Sequence, residues 1–76
     1  YERIEQRELI RNAIREMSED YRTVIVLRDI QGFSYDEISG MLDCSLGTVK
    51  SRINRARTML RDKLKESMEL SRENIV

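Results

Sequence analysis

The stretch that decides the fold is residues 34–57, SYDEISGMLDCSLGTVKSRINRAR. Ser34 and Glu37 have the spacing of a capping box, which opens an α-helix. Residues 43–44 interrupt the helical pattern, and Ser45 can cap a second, longer helix. We therefore expect a short helix, a tight turn and a longer helix, the arrangement of a helix-turn-helix whose second helix enters the major groove of DNA.

The longer helix has one apolar face and one polar face. Apolar residues recur along it at intervals of three or four, the pattern of an amphipathic helix about five turns long. They are Leu46, Val49, Ile53, Ala56, Leu60 and Leu64. We expect this stripe to be buried, which leaves the basic and polar residues of the opposite face in solvent.

Three residues of that polar face are candidates for reading bases: Lys50, Ser51 and Asn54. Lysine can bind guanine O6 and N7, asparagine can pair bidentately with adenine, and serine can bind several bases. All three lie in the N-terminal half of the helix, which usually makes the base contacts in a helix-turn-helix. We predict that they read the DNA sequence.

The other candidates on this helix are predicted to contact the DNA backbone or to make mixed contacts with backbone and bases. Arg52, Arg55 and Arg57 carry the positive charge that phosphate contacts need. One of these arginines can instead pair with an acidic residue on an earlier helix. Thr48 can donate a hydrogen bond to a phosphate or satisfy the start of its own helix.

The rest of the sequence also predicts helices. Proline is absent, only three glycines occur, and no alternation typical of a strand persists. We expect a first helix over residues 3–16 and a second from its N-cap Ser18 to about Ile30, ended by a left-handed Gly32. The predicted fold class is all-α: a compact four-helix domain with a helix-turn-helix, winged-helix-like but without a wing.

Charge is segregated along the chain, although the formal net charge is zero. Residues 1–43 carry six basic and ten acidic side chains, whereas residues 44–66 carry seven basic and two acidic ones. A chain of this kind can present a basic face to phosphate. The same pattern fits a solvated helix laced with salt bridges, so charge alone leaves both interpretations open.

The length of 76 residues allows a single domain. We place this domain at residues 1–66 and expect the polar segment 67–76 to be a frayed tail. The first residue is Tyr1 rather than Met, so we also expect the sequence to be part of a longer chain.

The composition argues against an enzyme. Histidine is absent, Cys44 has no partner base in the sequence, and no pattern of metal ligands or phosphate-binding loop occurs. We predict no catalytic residue, metal or cofactor. A single cysteine fits a cytoplasmic protein, in which Cys44 is a packed turn residue or, alternatively, a redox sensor. No apolar run is long enough to cross a membrane.

Over residues 6–65 the sequence resembles region 4 of the sigma-70 family of RNA polymerase sigma factors. The resemblance is carried by YRTV from Tyr21, GFSYDEI from Gly32 and LDCSLGTVKSR from Leu42. The run GTVKSRINRAR from Gly47 resembles most closely the extracytoplasmic-function (ECF) group of these factors.

The resemblance implies a function and partners. Region 4 binds the −35 element of double-stranded promoter DNA while docked on the β flap of the RNA polymerase core, and an anti-sigma factor often sequesters it in ECF members. We expect the isolated domain to be a monomer. By position, Arg28 and Tyr35 resemble residues that contact the DNA backbone. The alternatives are an ion pair of Arg28 with Asp29 or Asp36, and a packing role for the Tyr35 ring.

Two other functions stay open from the sequence. The helix-turn-helix of LuxR-type response regulators shares several of these motifs but usually lacks Arg-Ala-Arg. A helical protein-interaction module would need no DNA at all. The first two helices also carry more apolar residues than a small core needs, and these can be core or a docking surface for a flap or anti-sigma helix: Leu9, Ile10, Ile14, Val24, Ile25, Val26 and Leu27.

Overall fold

The computed structural model describes the backbone of residues 2–75 and the side chains of residues 5–69. Four helices follow one another, and the described backbone contains no strand, which confirms the all-α prediction. Their bounds are Glu2–Glu16 for α1, Glu19–Ile25 for α2, Tyr35–Leu42 for α3 and Leu46–Ile75 for α4. A single π-helical turn, Val26–Ile30, continues α2.

Helix α4 is the element on which the other three pack. Val49, Ile53 and Ala56 on its apolar stripe are completely buried, and Leu60 packs beside them. Each fully buried valine or isoleucine side chain contributes about 1.5–3 kcal/mol of transfer free energy. The predicted stripe is therefore confirmed at its centre, while its first residue, Leu46, remains 38% exposed.

The other helices each place a few apolar side chains against this stripe. No polar or charged residue is buried among the described side chains. The remaining buried core residues are Ala13, Ile14, Met17, Val24, Ile25 and Ile38. An exposed ion pair between Lys63 and Glu16, 3.3 Å long, adds a link between α4 and α1.

Two of the three predicted serine caps are formed by the side chain. At α3 the Ser34 Oγ accepts from the Glu37 backbone N–H at 3.1 Å, and the Glu37 carboxylate accepts from the Ser34 N–H at 3.0 Å. At α4 the Ser45 Oγ accepts from the Thr48 N–H at 3.1 Å. Ser18 stands at the N-cap position of α2 with extended backbone, but its side chain makes no capping hydrogen bond.

The two turns around α3 depend on left-handed residues. Gly32 has a φ of 78° and Asp43 a φ of 51°, a conformation that glycine adopts freely and aspartate tolerates. The turn after α3 is closed by the Cys44 N–H, which donates to the Ser39 carbonyl at 3.2 Å, and by the Ser39 hydroxyl, which donates back to the Cys44 carbonyl at 2.5 Å. Cys44 is half-buried against the core, as expected for a turn residue.

The end of the second helix differs from the prediction of a regular helix to Ile30. The Gln31 N–H donates to the Val26 carbonyl at 2.9 Å, five residues back, so the last turn is wider than an α-helical one. The Phe33 N–H then donates to the Leu27 carbonyl at 3.0 Å. Spacing alone cannot reveal this inserted residue, because Val26 and Leu27 of the wide turn still pack against the core as residues of a regular helix would.

Helix α4 continues past the predicted domain boundary, to Ile75. The backbone of residues 67–75 is thus helical in the structure, and fraying of this segment in solution stays a prediction. Among the described residues, none of the helices combines the length and apolar character that crossing a membrane requires.

The caps give a matched stability test. Replacing Ser34 with Ala removes the Oγ that accepts from the Glu37 N–H but leaves the Ser34 N–H to donate to the Glu37 carboxylate, and it should lower the free energy of unfolding by about 1 kcal/mol. Ser18→Ala changes the same residue type at a helix start where no side-chain bond exists, and should cost only a few tenths of a kcal/mol. Urea unfolding followed by circular dichroism measures both, and equal losses would contradict the assignment of the caps.

Candidate nucleic-acid interface

The polar face of α4 presents the predicted base-reading residues together. Lys50, Ser51, Asn54 and Arg55 are all exposed. At about 100° per residue they cover an arc of roughly 140° around the helix axis, on the side away from the buried stripe. The first two turns and the middle of α4 therefore offer one continuous basic and polar surface.

The start of α4 is fixed by a small hydroxyl cluster. The Ser45 Oγ accepts from the Thr48 N–H and donates to the Thr48 Oγ1 at 2.9 Å. Ser45 is therefore the residue that satisfies the helix terminus, and the Thr48 hydroxyl accepts from it. The hydroxyl hydrogen of Thr48 is left to donate outward, so a phosphate contact of Thr48 stays a prediction.

Two neighbouring clefts border the polar face on the side of α2. One has a volume of about 470 Å³ and includes Thr48, Arg52 and Arg55, and the other has a volume of about 440 Å³ and includes Arg55 and Met59. Tyr21 of α2 lines both clefts. The Tyr21 ring is half-buried against the core, and tyrosine commonly combines an apolar body with a solvent-facing hydroxyl.

Arg57 makes a different contact from the other two arginines. Its Nη2 and Nε donate to the two carboxylate oxygens of Asp29 at 2.6 Å and 3.0 Å. This bidentate ion pair joins α4 to the π-helical turn, 28 residues earlier in the chain. The alternative noted from the sequence, pairing of one arginine with an acid on an earlier helix, is the arrangement found for Arg57.

The ion pair shifts the pKa values of both partners. The hydrogen bonds from Arg57 hold the pKa of Asp29 below its usual range, with a smaller contribution from the charge of Arg28. The pKa of Arg57 is raised, mainly by its hydrogen bond with Asp29 and to a lesser degree by the nearby Tyr35. Both charges are therefore present at neutral pH.

Arg28 and Tyr35 meet across the turn between α2 and α3. The Arg28 guanidinium lies 4.9 Å from the centroid of the Tyr35 ring, a cation–π contact. Its Nη1 also donates to the Phe33 carbonyl at 3.0 Å. Arg28 makes these two contacts, and the structure shows no ion pair of Arg28 with Asp29 or Asp36 among the described residues. The Tyr35 ring is half-buried and packs against the core, which is the packing role noted as its alternative.

The nine predicted site residues thus form two groups on one helix-turn-helix. The first group lies on the polar side of α4, where four residues are exposed and Thr48 and Arg52 are half-buried beside them. The exposed four are Lys50, Ser51, Asn54 and Arg55. The second group is Arg28, Tyr35 and Arg57, which gather at the corner between α2, α3 and α4. Sequence reasoning missed the partner that organises this corner, Asp29, because an acid next to Arg28 looks like a local pair.

Comparison with known families places this site in context. Residues 7–60 match the family model described as "Sigma-70, region 4". This match contains α2, α3, the turn between α3 and α4, and the part of α4 that carries the polar face.

The curated relatives share the same region. The sequence is 42% identical over 60 residues to the "ECF RNA polymerase sigma-E factor" of Haemophilus influenzae. The aligned region covers 79% of this chain and 32% of the relative. Proteins of the same description from Salmonella typhimurium strain LT2 and Escherichia coli strain K12 are each 43% identical over 60 residues, covering 79% of this chain and 31% of the relative. The chain therefore matches only a part of each relative.

The lowered pKa of Asp29 predicts how the ion pair contributes to stability as pH changes. Because the pKa is lowered on folding, the contribution is fully present above the ordinary carboxyl pKa near 4 and disappears as pH falls through the folded value. Asp29→Asn should destabilise the chain at pH 7 by about 0.2–1 kcal/mol, since the pair is partly exposed, and by progressively less as pH falls through the lowered pKa of Asp29.

The matched control for this experiment is Asp62→Asn. Asp62 lies 4.0 Å from Arg61 in a pair whose side chains are more than 70% exposed, so its removal should leave the unfolding midpoint unchanged at both pH values. A loss for Asp29→Asn that persisted unchanged at pH 2 would contradict a contribution from the ionised pair.

Proposed function

Because the chain belongs to the sigma-70 region 4 family, we propose that it is the promoter-recognition domain of an ECF sigma factor and binds the −35 element in the DNA major groove. The observation that carries this proposal is the division of α4 into two faces. Val49, Ile53 and Ala56 hold the helix against the domain, while Lys50, Ser51 and Asn54 project from it.

The base-reading role goes to the exposed residues of the first half of α4. An α-helix fits the major groove, where each base pair presents its own pattern of donors and acceptors. Lys50 would bind guanine, Asn54 adenine, and Ser51 whichever base lies beneath it. All three are mounted on a helix whose opposite face is fixed in the core, so their positions relative to the groove are set by the fold.

The backbone contacts would lie around this reading surface. Arg52, Arg55 and Thr48 border it on the side of Tyr21, and Arg28 with Tyr35 borders the other side. Arg28 uses one nitrogen for the Phe33 carbonyl, and a guanidinium has five N–H donors, so donors remain for a phosphate. Phosphate contacts on both sides would fix the register of α4 in the groove.

Docking on the β flap of RNA polymerase, and capture by an anti-sigma factor, would use a different surface. Of the surplus apolar residues on the first two helices, Ile14, Val24 and Ile25 are buried and are core. Ile10 is 40% exposed and lines a groove between α1 and α4. This groove lies about four to five helical turns beyond Lys50 along α4, so the chain could hold polymerase and DNA together. The proposed setting is the cytoplasm.

The proposed function is tested by two alanine variants of α4. Lys50→Ala should lose a base contact and reduce discrimination between −35 variants by about 1–3 kcal/mol at one position. Arg55→Ala should weaken binding to all sequences alike and reduce the slope of log K against log salt by about 0.9. Fluorescence anisotropy with a panel of −35 duplexes measures both effects.

Binding of the wild-type chain to duplex DNA distinguishes a DNA-binding domain from a protein-interaction module. Several neutralised phosphates should give duplex binding that falls steeply with salt, whereas a protein-interaction module would show no duplex affinity even in low salt. Unchanged relative affinities in Lys50→Ala would remove the base-reading role from this residue.

A further inference from the structure

Three contacts converge where the second helix ends. The Asp29 carboxylate holds the Arg57 guanidinium with two hydrogen bonds, the Arg28 guanidinium donates to the Phe33 carbonyl, and the same group lies over the Tyr35 ring. Together they tie the end of α2 to α4, to the turn and to the start of α3. We call Arg28, Asp29, Tyr35 and Arg57 the corner network.

Two members of this network, Arg28 and Asp29, lie in the wide turn. Arg28 and Asp29 are adjacent in the sequence, yet Arg28 faces the turn and α3 while Asp29 faces α4. The π-helical turn lies across both residues, and inserted turns of this kind are frequently found at functional sites. Adjacent residues of a helical turn do not face each other, so the two opposite charges reach two different elements.

Arg57 also leaves α4 in a different direction from Arg55. Measured from the buried Ile53, Arg57 lies about 40° around the helix axis and Arg55 about 160°. Lys50, at about 60°, lies on the same edge of α4 as Arg57. The arginine that pairs with Asp29 thus stands beside the core, on the edge of the helix that carries one of the predicted base readers.

We propose that Arg57 is a positioning residue: through Asp29 it holds α4 at a fixed angle to the corner of α2 and α3, so that Lys50 and Asn54 meet the bases. This inference rests on the proposed function, and it replaces the phosphate contact that the sequence predicted for Arg57. The pair is 44% and 37% exposed, and such pairs contribute little to stability. Its bidentate geometry instead restricts the orientation of the two elements that it joins.

The chemistry of the pair opposes a phosphate contact. A phosphate approaching Arg57 would meet the Asp29 carboxylate and would have to displace two charge-assisted hydrogen bonds. If Arg57 were a phosphate clamp, removing the competing charge of Asp29 would strengthen DNA binding. If Arg57 positions α4, removing Asp29 impairs the reading of bases.

The experiment compares two single variants of the 76-residue chain with the double variant, in which the two charge changes cancel. The probes are a duplex that the wild-type chain selects from a randomised library and a scrambled duplex of the same composition. Asp29→Asn, Arg57→Gln and the double variant are measured by anisotropy over a range of salt concentrations, at a temperature where circular dichroism shows each to be folded. Asp36→Asn, an exposed acid in the first turn of α3, is the control for loss of one negative charge.

The expected readout is the ratio of affinities for the selected and scrambled duplexes. Each single variant should lower this ratio at least about fivefold, the lower end of the cost of one mismatched base pair. The double variant, whose net charge equals that of the wild type, should lose no more than the worse single variant and should keep the wild-type salt slope. Asp36→Asn should leave the ratio unchanged.

The opposite results would overturn the inference. A phosphate clamp predicts that Asp29→Asn strengthens binding to both duplexes alike with the ratio unchanged, and that the double variant lowers the salt slope by about 0.9. If the wild type selects a duplex and the variants keep its ratio of affinities for the selected and scrambled duplexes, the positioning role of Arg57 is wrong and the proposed function stands. Failure of the wild type to select any duplex would overturn the proposed function and, with it, this inference.

Discussion

Burial of one face of α4 is the constraint on which the rest of the molecule depends. Val49, Ile53 and Ala56 have no exposed surface, and α1, α2 and α3 each pack against the helix that carries them. With no polar group buried among the described side chains, the core supplies stability through apolar contact alone. The same burial fixes which residues of α4 can reach solvent, and hence which can reach DNA.

The corner network adds orientation to a core that has no directional contacts. Apolar packing tolerates small rotations of one helix against another, whereas a bidentate arginine–carboxylate pair has a defined geometry. Asp29 and Arg57 supply this geometry between α2 and α4, and the capping box at Ser34 together with left-handed residues at both ends fixes α3. A helix that reads bases needs both the apolar core and these directional contacts, because a base contact is lost when a side chain moves by a fraction of a hydrogen-bond length.

The sequence predicted the elements that depend on local chemistry. The four helices, the capping box at Ser34 and the left-handed Gly32 follow from spacing and residue type, and all are present. It did not predict the π-helical turn, because no local pattern marks one inserted residue. It also left the partners of Arg28 and Arg57 open, because they are set by long-range packing.

The central claim, that the exposed face of α4 enters the major groove, is tested most directly by mapping the bound duplex on the chain. Amide chemical shifts of the isotope-labelled chain would be recorded with and without a duplex selected by the chain. The account predicts the largest changes at residues 48–55, smaller ones at Arg28 and Tyr35, and little change along α1. Shift changes concentrated on α1, with residues 48–55 undisturbed, would contradict it.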